Sequence, residues 1–305
     1  MIRVLVSALV IALALSSSVG AQDVPRAQTL ILGKVSGNPK KQFPKLEALA
    51  VHLAARLKDK GIEKGGVLIA QSNAEMIALL KDGKVDLVTE TPLSALLIQE
   101  KSGAEIFLLE WKGGAPTYQS LLFTTKESPV KSLADLRGRK VVFQDPGSTS
   151  GFLLPLSMLL RAGLSVVELS SPRETPPANK VGYVFADAEA NTLAWVVNGL
   201  VDAGTLSNMD LQSFAETQAP VVDKIRVFAE SAPFPRSTLM AGPNLDPTLR
   251  EAVTSVLTGL HETEAGKAVM EEYFKVARFE SLTPTTAEEF EEVRTVFGLI
   301  RDRME

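Results

Sequence analysis

The stretch that most constrains this chain is VVFQDPGSTSGFLL, residues 141–154. Val141, Val142 and Phe143 favour a strand, and Asp145-Pro146-Gly147 ends it. Ser148, Thr149 and Ser150 then stand where a helix begins, ahead of an apolar run that opens at Phe152. Strand, loop and helix in that order are a unit of an α/β fold. Hydroxyl side chains at a helix start satisfy free backbone N–H groups. The same end also offers N–H groups and the positive end of the helix dipole to an anion. Three hydroxyls followed by Gly151 are more than one cap needs. Plain capping of a βα turn is the other reading of these residues, and the stretch alone leaves both open.

The rest of the chain repeats the alternation. Strands are expected at 27–33, 67–70, 85–88, 106–109, 118–125, 182–185, 201–205, 225–228 and 237–241. Helices are expected between them; apolar residues at 46, 49, 50, 53, 54 and 57 have helical spacing. From 246 onward the chain reads as mostly helical. This predicts an α/β class with largely parallel sheets. Residues 76–86 and 193–202 resemble each other: each reads as helix, Gly stop, x-Val-Asp, strand. The repeat favours two lobes of similar plan over coincidence between αβ units.

Composition narrows the function. Arg3, an apolar run at 4–15 and the small residues Val19 and Ala21 form a secretory signal peptide over residues 1–21. The chain has no Cys, so a lipid-modified N-terminal Cys is excluded and the fold must rest on its core. A soluble protein, free in a bacterial periplasm, is expected. The net charge of −4, with no basic block, argues against nucleic acid as a partner. Two His and no Cys give no metal-ligand spacing, so neither metal nor cofactor is expected. The GSTSG segment resembles a nucleophile elbow, but its central residue is Thr149 and no His stands at an apparent loop site. Enzymatic activity is therefore not expected.

What remains is anion binding without chemistry. Ligands of open α/β sheets bind beyond the carboxyl ends of the strands. Thr91 and Asn73 follow such strands, and Tyr118 opens a strand at the expected crossover between lobes. Each has an ordinary reading too: a helix cap for Thr91 and Asn73, a core ring for Tyr118.

These residues bring a family into view. FQDPGSTSGFLLP at 143–155 resembles the signature of the phosphate/phosphite/phosphonate ABC-transporter substrate-binding proteins. The segments at 83–87, 118–120, 132–138, 198–204 and 233–235 follow in the family's order. The resemblance implies a type II periplasmic binding fold, with two α/β lobes joined by a two-strand hinge. It implies lobe 1 at 22–117 and 231–305 and lobe 2 at 118–230. It further implies capture of a small phosphorus oxyanion or phosphonate by hinge closure, delivery to an ABC permease of the inner membrane, and a monomer. A binding protein that signals to a membrane receptor kinase, or an exported enzyme on the same fold, are the alternatives. By the resemblance, Ser148, Thr149 and Ser150 hold the oxyanion and Tyr118 lines the cleft; Gly151, next to the run, is a further candidate. The chain also departs from the family. A Ser-His pair is replaced by Ala188-Glu189, a tyrosine by Asn73, and an acid after the Pro-x-Pro segment by Arg236. These make Glu189, Asn73 and Arg236 candidate determinants of the ligand, with two other readings open: Glu189 meets a ligand cation or points away, and Arg236 is a solvated surface side chain, the slightly favoured reading. The missing acid argues against 2-aminoethylphosphonate.

Overall fold

The computed structural model describes residues 28–304; the expected signal peptide lies outside them. The chain runs β1 (Thr29–Val35), α1 (Pro39–Arg56), β2 (Lys64–Ala70), α2 (Asn73–Lys81), β3 (Leu87–Glu90), α3 (Pro92–Ser102) and β4 (Glu105–Glu110). It crosses over through β5 (Thr117–Tyr118) to β6 (Ser120–Thr125), β7 (Lys140–Phe143), α4 (Leu154–Arg161), β8 (Ser165–Glu168) and β9 (Lys180–Phe185). It continues with α5 (Glu189–Val197), β10 (Ala203–Ser207), α6 (Asn208–Thr217), α7 (Ala219–Val222) and β11 (Ile225–Glu230). The return passes through β12 (Phe234–Pro235) to β13 (Thr238–Ala241), α8 (Pro247–Thr258), α9 (Glu264–Glu272), β14 (Phe279–Ser281) and α10 (Pro284–Ile300).

Two six-stranded sheets result, in the orders β14-β4-β13-β3-β1-β2 and β11-β6-β10-β7-β9-β8. Each has a parallel core, β3-β1-β2 and β10-β7-β9-β8. Into each sheet the chain inserts an antiparallel strand just after a crossover: β13 between β3 and β4, β6 between β10 and β11. The sheets are therefore mixed rather than largely parallel. The crossovers themselves pair, β5 with β12, Tyr118 opposite Phe234. Two α/β lobes joined by a two-strand hinge make this the type II periplasmic binding fold.

The internal repeat has a structural basis. Asp86 N–H donates to the Ile31 carbonyl (3.0 Å) while Asp86 Oδ2 accepts from Ile31 N–H (2.7 Å). Asp202 does the same with Lys140, at 3.0 and 2.9 Å. Gly83 and Gly199, three residues before each Asp, have φ of 62° and 69°, which a side chain would oppose. One device thus ends a helix and starts a strand in both lobes.

Burial follows the helical spacing read above: Leu46, Leu49, Ala50, Leu53 and Ala54 of α1 are buried. The helix lies so close to β2 that a Cβ on Gly65 would stand 2.0 Å from the Ala50 carbonyl oxygen. A further apolar cluster joins Leu93 and Leu96 of α3, Tyr118 and Phe234 of the crossover pair, Phe143 and Phe152, and Phe290, Val293, Val296 and Ile300 of α10. α10 packs on both α3 and α4, so the C-terminal helix bridges the lobes. Each such large apolar side chain contributes about 1.5–3 kcal/mol on burial.

Local departures from expectation have local causes. The strand expected at 118–125 breaks at Gln119, whose N–H donates to Asn208 Oδ1 (2.9 Å) and whose carbonyl accepts from Asn208 N–H (3.0 Å). Thr89 and Glu90, expected in a turn, continue β3 because β13 pairs with them. The edge strands β8 and β14 are short and carry little apolar alternation, and the sequence reading passed over both.

Candidate functional site

The carboxyl ends of β1, β3 and β4 and the start of β13 share one edge of the first sheet. In the second sheet the ends of β7, β9 and β10 and the start of β6 do the same. α3 packs against the turn at Thr149–Leu153, which brings the two edges together beside the β5–β12 pair.

The hydroxyl run opens in a wider turn than expected. Thr149–Leu153 is π-helical, and the Leu153 N–H reaches back to the Ser148 carbonyl (2.9 Å). Ser148 is the N-cap: its Oγ accepts from Gly151 N–H (3.0 Å) and donates to Gln144 Oε1 (2.8 Å). Gln144 Nε2 in turn donates to Glu189 Oε1 (2.8 Å). Glu189, the first residue of α5, therefore anchors Gln144, and through it Ser148. Gly151 is engaged internally as well. Its carbonyl accepts from Thr205 Oγ1 (2.7 Å), and a Cβ here would stand 2.6 Å from Gln144 Cβ. Ser120 Oγ donates to the Ser150 carbonyl (2.6 Å). The amides of Thr149 and Ser150, in the first turn, have no acceptor within the helix.

Three polar atoms near this junction are buried with no hydrogen-bond partner: Thr91 Oγ1, Thr149 Oγ1 and Arg236 Nε. Thr91 is the N-cap residue of α3, yet its hydroxyl makes no capping bond. Thr149 is 1 % exposed. The Arg236 guanidinium lies 4.6 Å from the centroid of the Tyr118 ring, a cation–π distance. Tyr118 is buried, and burial pushes its hydroxyl pKa up; Arg236 and then the hydroxyls of Ser150 and Thr149, which lie beside the Tyr118 hydroxyl without forming a hydrogen bond of good geometry, act in the opposite sense. Tyr118, Arg236, Thr149 and Ser150 thus meet, and Thr91 directly follows Glu90, which pairs with Thr238 two residues after Arg236. A buried donor without a partner costs roughly 1–3 kcal/mol, and an anion held there would supply several partners at once. Asn73 stands apart. It opens α2 beyond β2, with β1 between β2 and β3, and Ser72 rather than Asn73 caps that helix.

The lobe-1 edge also carries charges that sequence reading missed. Lys34 Nζ is 3.3 Å from Glu90 Oε1, which also accepts from Val35 N–H (2.7 Å). Glu110, 1 % exposed, accepts from the hydroxyls of Thr89, Ser237 and Tyr273, each at 2.6 Å. Lys112 has its pKa pushed down to about 7, chiefly by burial and then by Lys34 and Arg236, with Glu110 and Glu90 opposing. The only signal for these residues was their place just inside or after a predicted strand. Surface hollows of about 390 and 330 Å³, lined in part by Arg56, Glu251 and Ser255 and by Lys140, Val196 and Asp202, lie away from this edge. Among the described residues no cluster of His, Asp or Glu is arranged to hold a metal.

A family model described as "ABC transporter, phosphonate, periplasmic substrate-binding protein" matches residues 36–287. The chain belongs to that family. A curated relative, the phosphonates-binding periplasmic protein of Escherichia coli, is 27% identical over 213 residues, 68% of this chain and 60% of that protein. The phosphate-import protein PhnD of Mycolicibacterium smegmatis is 35% identical over 127 residues, 40% of this chain and 38% of that one. The matches therefore span between about a third and two thirds of these relatives' lengths. Among solved structures, XAC2383 of Xanthomonas citri bound to chloride ion has a TM-score of 0.86 and 30% identity, over 90% of this chain and 99% of that one. The same protein has been solved bound to ATP, with a TM-score of 0.86 and 29% identity. Against the family pattern, Glu189 at the Ser-His position is an internal acceptor for Gln144. Arg236 is no solvated surface side chain, since it is stacked on Tyr118 beside the unpartnered hydroxyls.

Proposed function

We propose that this protein captures a small phosphorus oxyanion, of phosphonate or phosphate type, and passes it to an ABC permease of the inner membrane. Lobe closure about the β5–β12 pair encloses the ligand. The observation that carries this reading is the meeting of Thr149 and Ser150 of lobe 2 with Tyr118 and Arg236 of the crossover, where Thr149 Oγ1 and Arg236 Nε are buried without a hydrogen-bond partner; Thr91 Oγ1, at the end of β3 in lobe 1, is unpartnered as well. In the closed state the hydroxyls of Thr91, Thr149 and Ser150 and the amides of Thr149 and Ser150 replace the water around the anion. Arg236 supplies the opposite charge, and Tyr118 forms the floor. Ser148, Gly151 and Glu189 set the shape of the turn rather than touch the ligand. No covalent step is involved. The protein works in the periplasm as a monomer.

The guanidinium of Arg236 in place of an acid makes the cleft a poor host for a ligand amino group. Methylphosphonate should therefore outbind 2-aminoethylphosphonate. The test is thermal unfolding against phosphate, phosphite, methylphosphonate, 2-aminoethylphosphonate, sulfate and ATP; ATP is included because XAC2383 has been solved with it. A ligand at about a hundred times its Kd adds roughly 2.7 kcal/mol of stability, which is readily seen as a rise in Tm. A rise with a phosphorus anion and none with sulfate supports the reading. No rise with any phosphorus anion sinks it.

A further inference from the structure

The lobe-1 edge holds more positive charge than its carboxylates use. Lys34, Lys112 and Arg236 face Glu90 and Glu110. Glu90 holds Lys34 and the Val35 amide, and Glu110 is occupied by three hydroxyls. Lys112 and Arg236 are held by ring faces instead. Lys112 Nζ lies 4.0 Å from the Phe274 centroid, as Arg236 lies 4.6 Å from that of Tyr118. Lys45 and Lys34 approach the same Phe274 ring at 5.3 and 6.0 Å. A ring face fixes an ammonium in place but leaves its N–H donors free and its charge uncompensated.

The backbone is arranged to keep this geometry. Phe274 and Lys275 both have positive φ, 55° and 54°, which costs a non-glycine residue on the order of 1 kcal/mol each. The amides of Gly113 and Gly114 clamp the two strained residues by donating to the Phe274 carbonyl (3.2 Å) and the Lys275 carbonyl (3.1 Å). The turn that carries Lys112 and the turn that presents the ring are thus tied together.

We propose that Lys112, together with Arg236 and Lys34, forms a second anion subsite beside the Thr149–Arg236 site, fitted to a phosphorus compound that carries a second acidic group a short spacer away. This rests on the oxyanion reading above and names its ligand class: a phosphonocarboxylate or a diphosphate rather than a simple alkylphosphonate. Arg236 belongs to both subsites, since it sits beside Tyr118 on one side and Lys112 on the other. The second acidic group makes up the counter-charge that two carboxylates, Glu90 and Glu110, leave short among Lys34, Lys112 and Arg236. Lys112 faces Lys34, Arg236, Glu110 and Glu90, and its pKa of about 7 leaves it partly deprotonated at neutral pH. An added anion favours the charged form, so a two-acid ligand is taken up with a proton.

The test is titration calorimetry of the mature chain near pH 7, in two phosphate-free buffers of different ionisation enthalpy. Methylphosphonate is compared with phosphonoacetate and pyrophosphate. At least one two-acid ligand should bind about tenfold or more tighter than methylphosphonate, with net proton uptake. Lys112→Met should abolish that advantage and the uptake while shifting methylphosphonate by less than about threefold. Lys112→Arg should keep the advantage without the uptake, which also controls for folding. Equal weakening of all three ligands by Lys112→Met overturns the subsite. So does methylphosphonate binding as tightly as both two-acid ligands. Either outcome leaves the oxyanion reading standing. Failure of all three ligands to bind overturns both.

Discussion

The two sheet edges that face each other grew from one plan and were equipped differently. Asp86 and Asp202 make the same reciprocal bonds at the same point of each lobe. Past that point the lobes diverge. The lobe-2 edge offers hydroxyls and amides, with Ser120, Thr205, Ser148 and Gln144 holding the turn in shape through internal bonds and its carboxylate Glu189 engaged by Gln144. The lobe-1 edge is built from charges, with Lys34 on Glu90, Glu110 under three hydroxyls and Lys112 short of a counter-ion. Neutral donors in a fixed arc select shape, whereas charges in a half-buried edge select charge and draw the ligand in. The comparison assigns geometric selectivity to lobe 2 and the number of ligand charges to lobe 1.

The comparison can be broken by substitution, and the largest effect is expected on the charged side. Glu110→Leu strands the hydroxyls of Thr89, Ser237 and Tyr273 in the core and should cost roughly 3–5 kcal/mol in urea unfolding. Thr205→Val, which removes one neutral bond on the other edge, should cost only about 1 kcal/mol. Equal losses would mean that the two edges do not differ as described. Next comes Arg236→Ala, which removes the charge at the junction and should weaken phosphorus-anion binding on the order of a hundredfold by calorimetry. A loss under threefold would move the site elsewhere.

Thr149→Val is the sharper probe of lobe 2. Its hydroxyl is buried and unpartnered, so the valine should leave the Tm of the free protein unchanged or raised and still weaken binding by about tenfold. A drop in Tm with unchanged affinity would make Thr149 a structural residue. The smallest effect concerns pH. Lys112 titrates near 7 when folded and at 10.5 as an ordinary lysine. Between those values the unfolded chain binds more protons, so stability should rise with pH across that window. Lys112→Met should flatten that rise in a series of denaturant melts.

Much of this was legible in the residues. The strand-turn-helix at 141–154, the repeat and the crossover near 118 were read from turn chemistry and periodicity, which act over a few residues. Thr149 and Ser150 were marked by a helix start and Tyr118 by the expected crossover, and in the structure these three lie together; Thr91 was marked by its place beyond a predicted strand. Asn73 had the same mark but lies beyond an edge strand, and strand order is a long-range property. Glu189 was legible as a departure, but not as the partner of Gln144, because their contact spans 45 residues. The charged edge was missed for the same reason. Lys34, Glu90 and Lys112 come from three separate segments and only Arg236 beside them stood out, as a departure from the family; nothing local marks a lysine as short of a counter-ion.

The π-helical turn at Thr149–Leu153 has a consequence for how this family's chain can vary in length. A bond from Leu153 N–H to the Ser148 carbonyl encloses one residue more than an α-helical turn does. Deleting one residue there would tighten the turn to an ordinary α-turn while leaving Leu154 and the rest of α4 on the same face. The hydroxyl run is therefore a point of elastic register, where a donor can be gained or dropped without re-threading the lobe behind it.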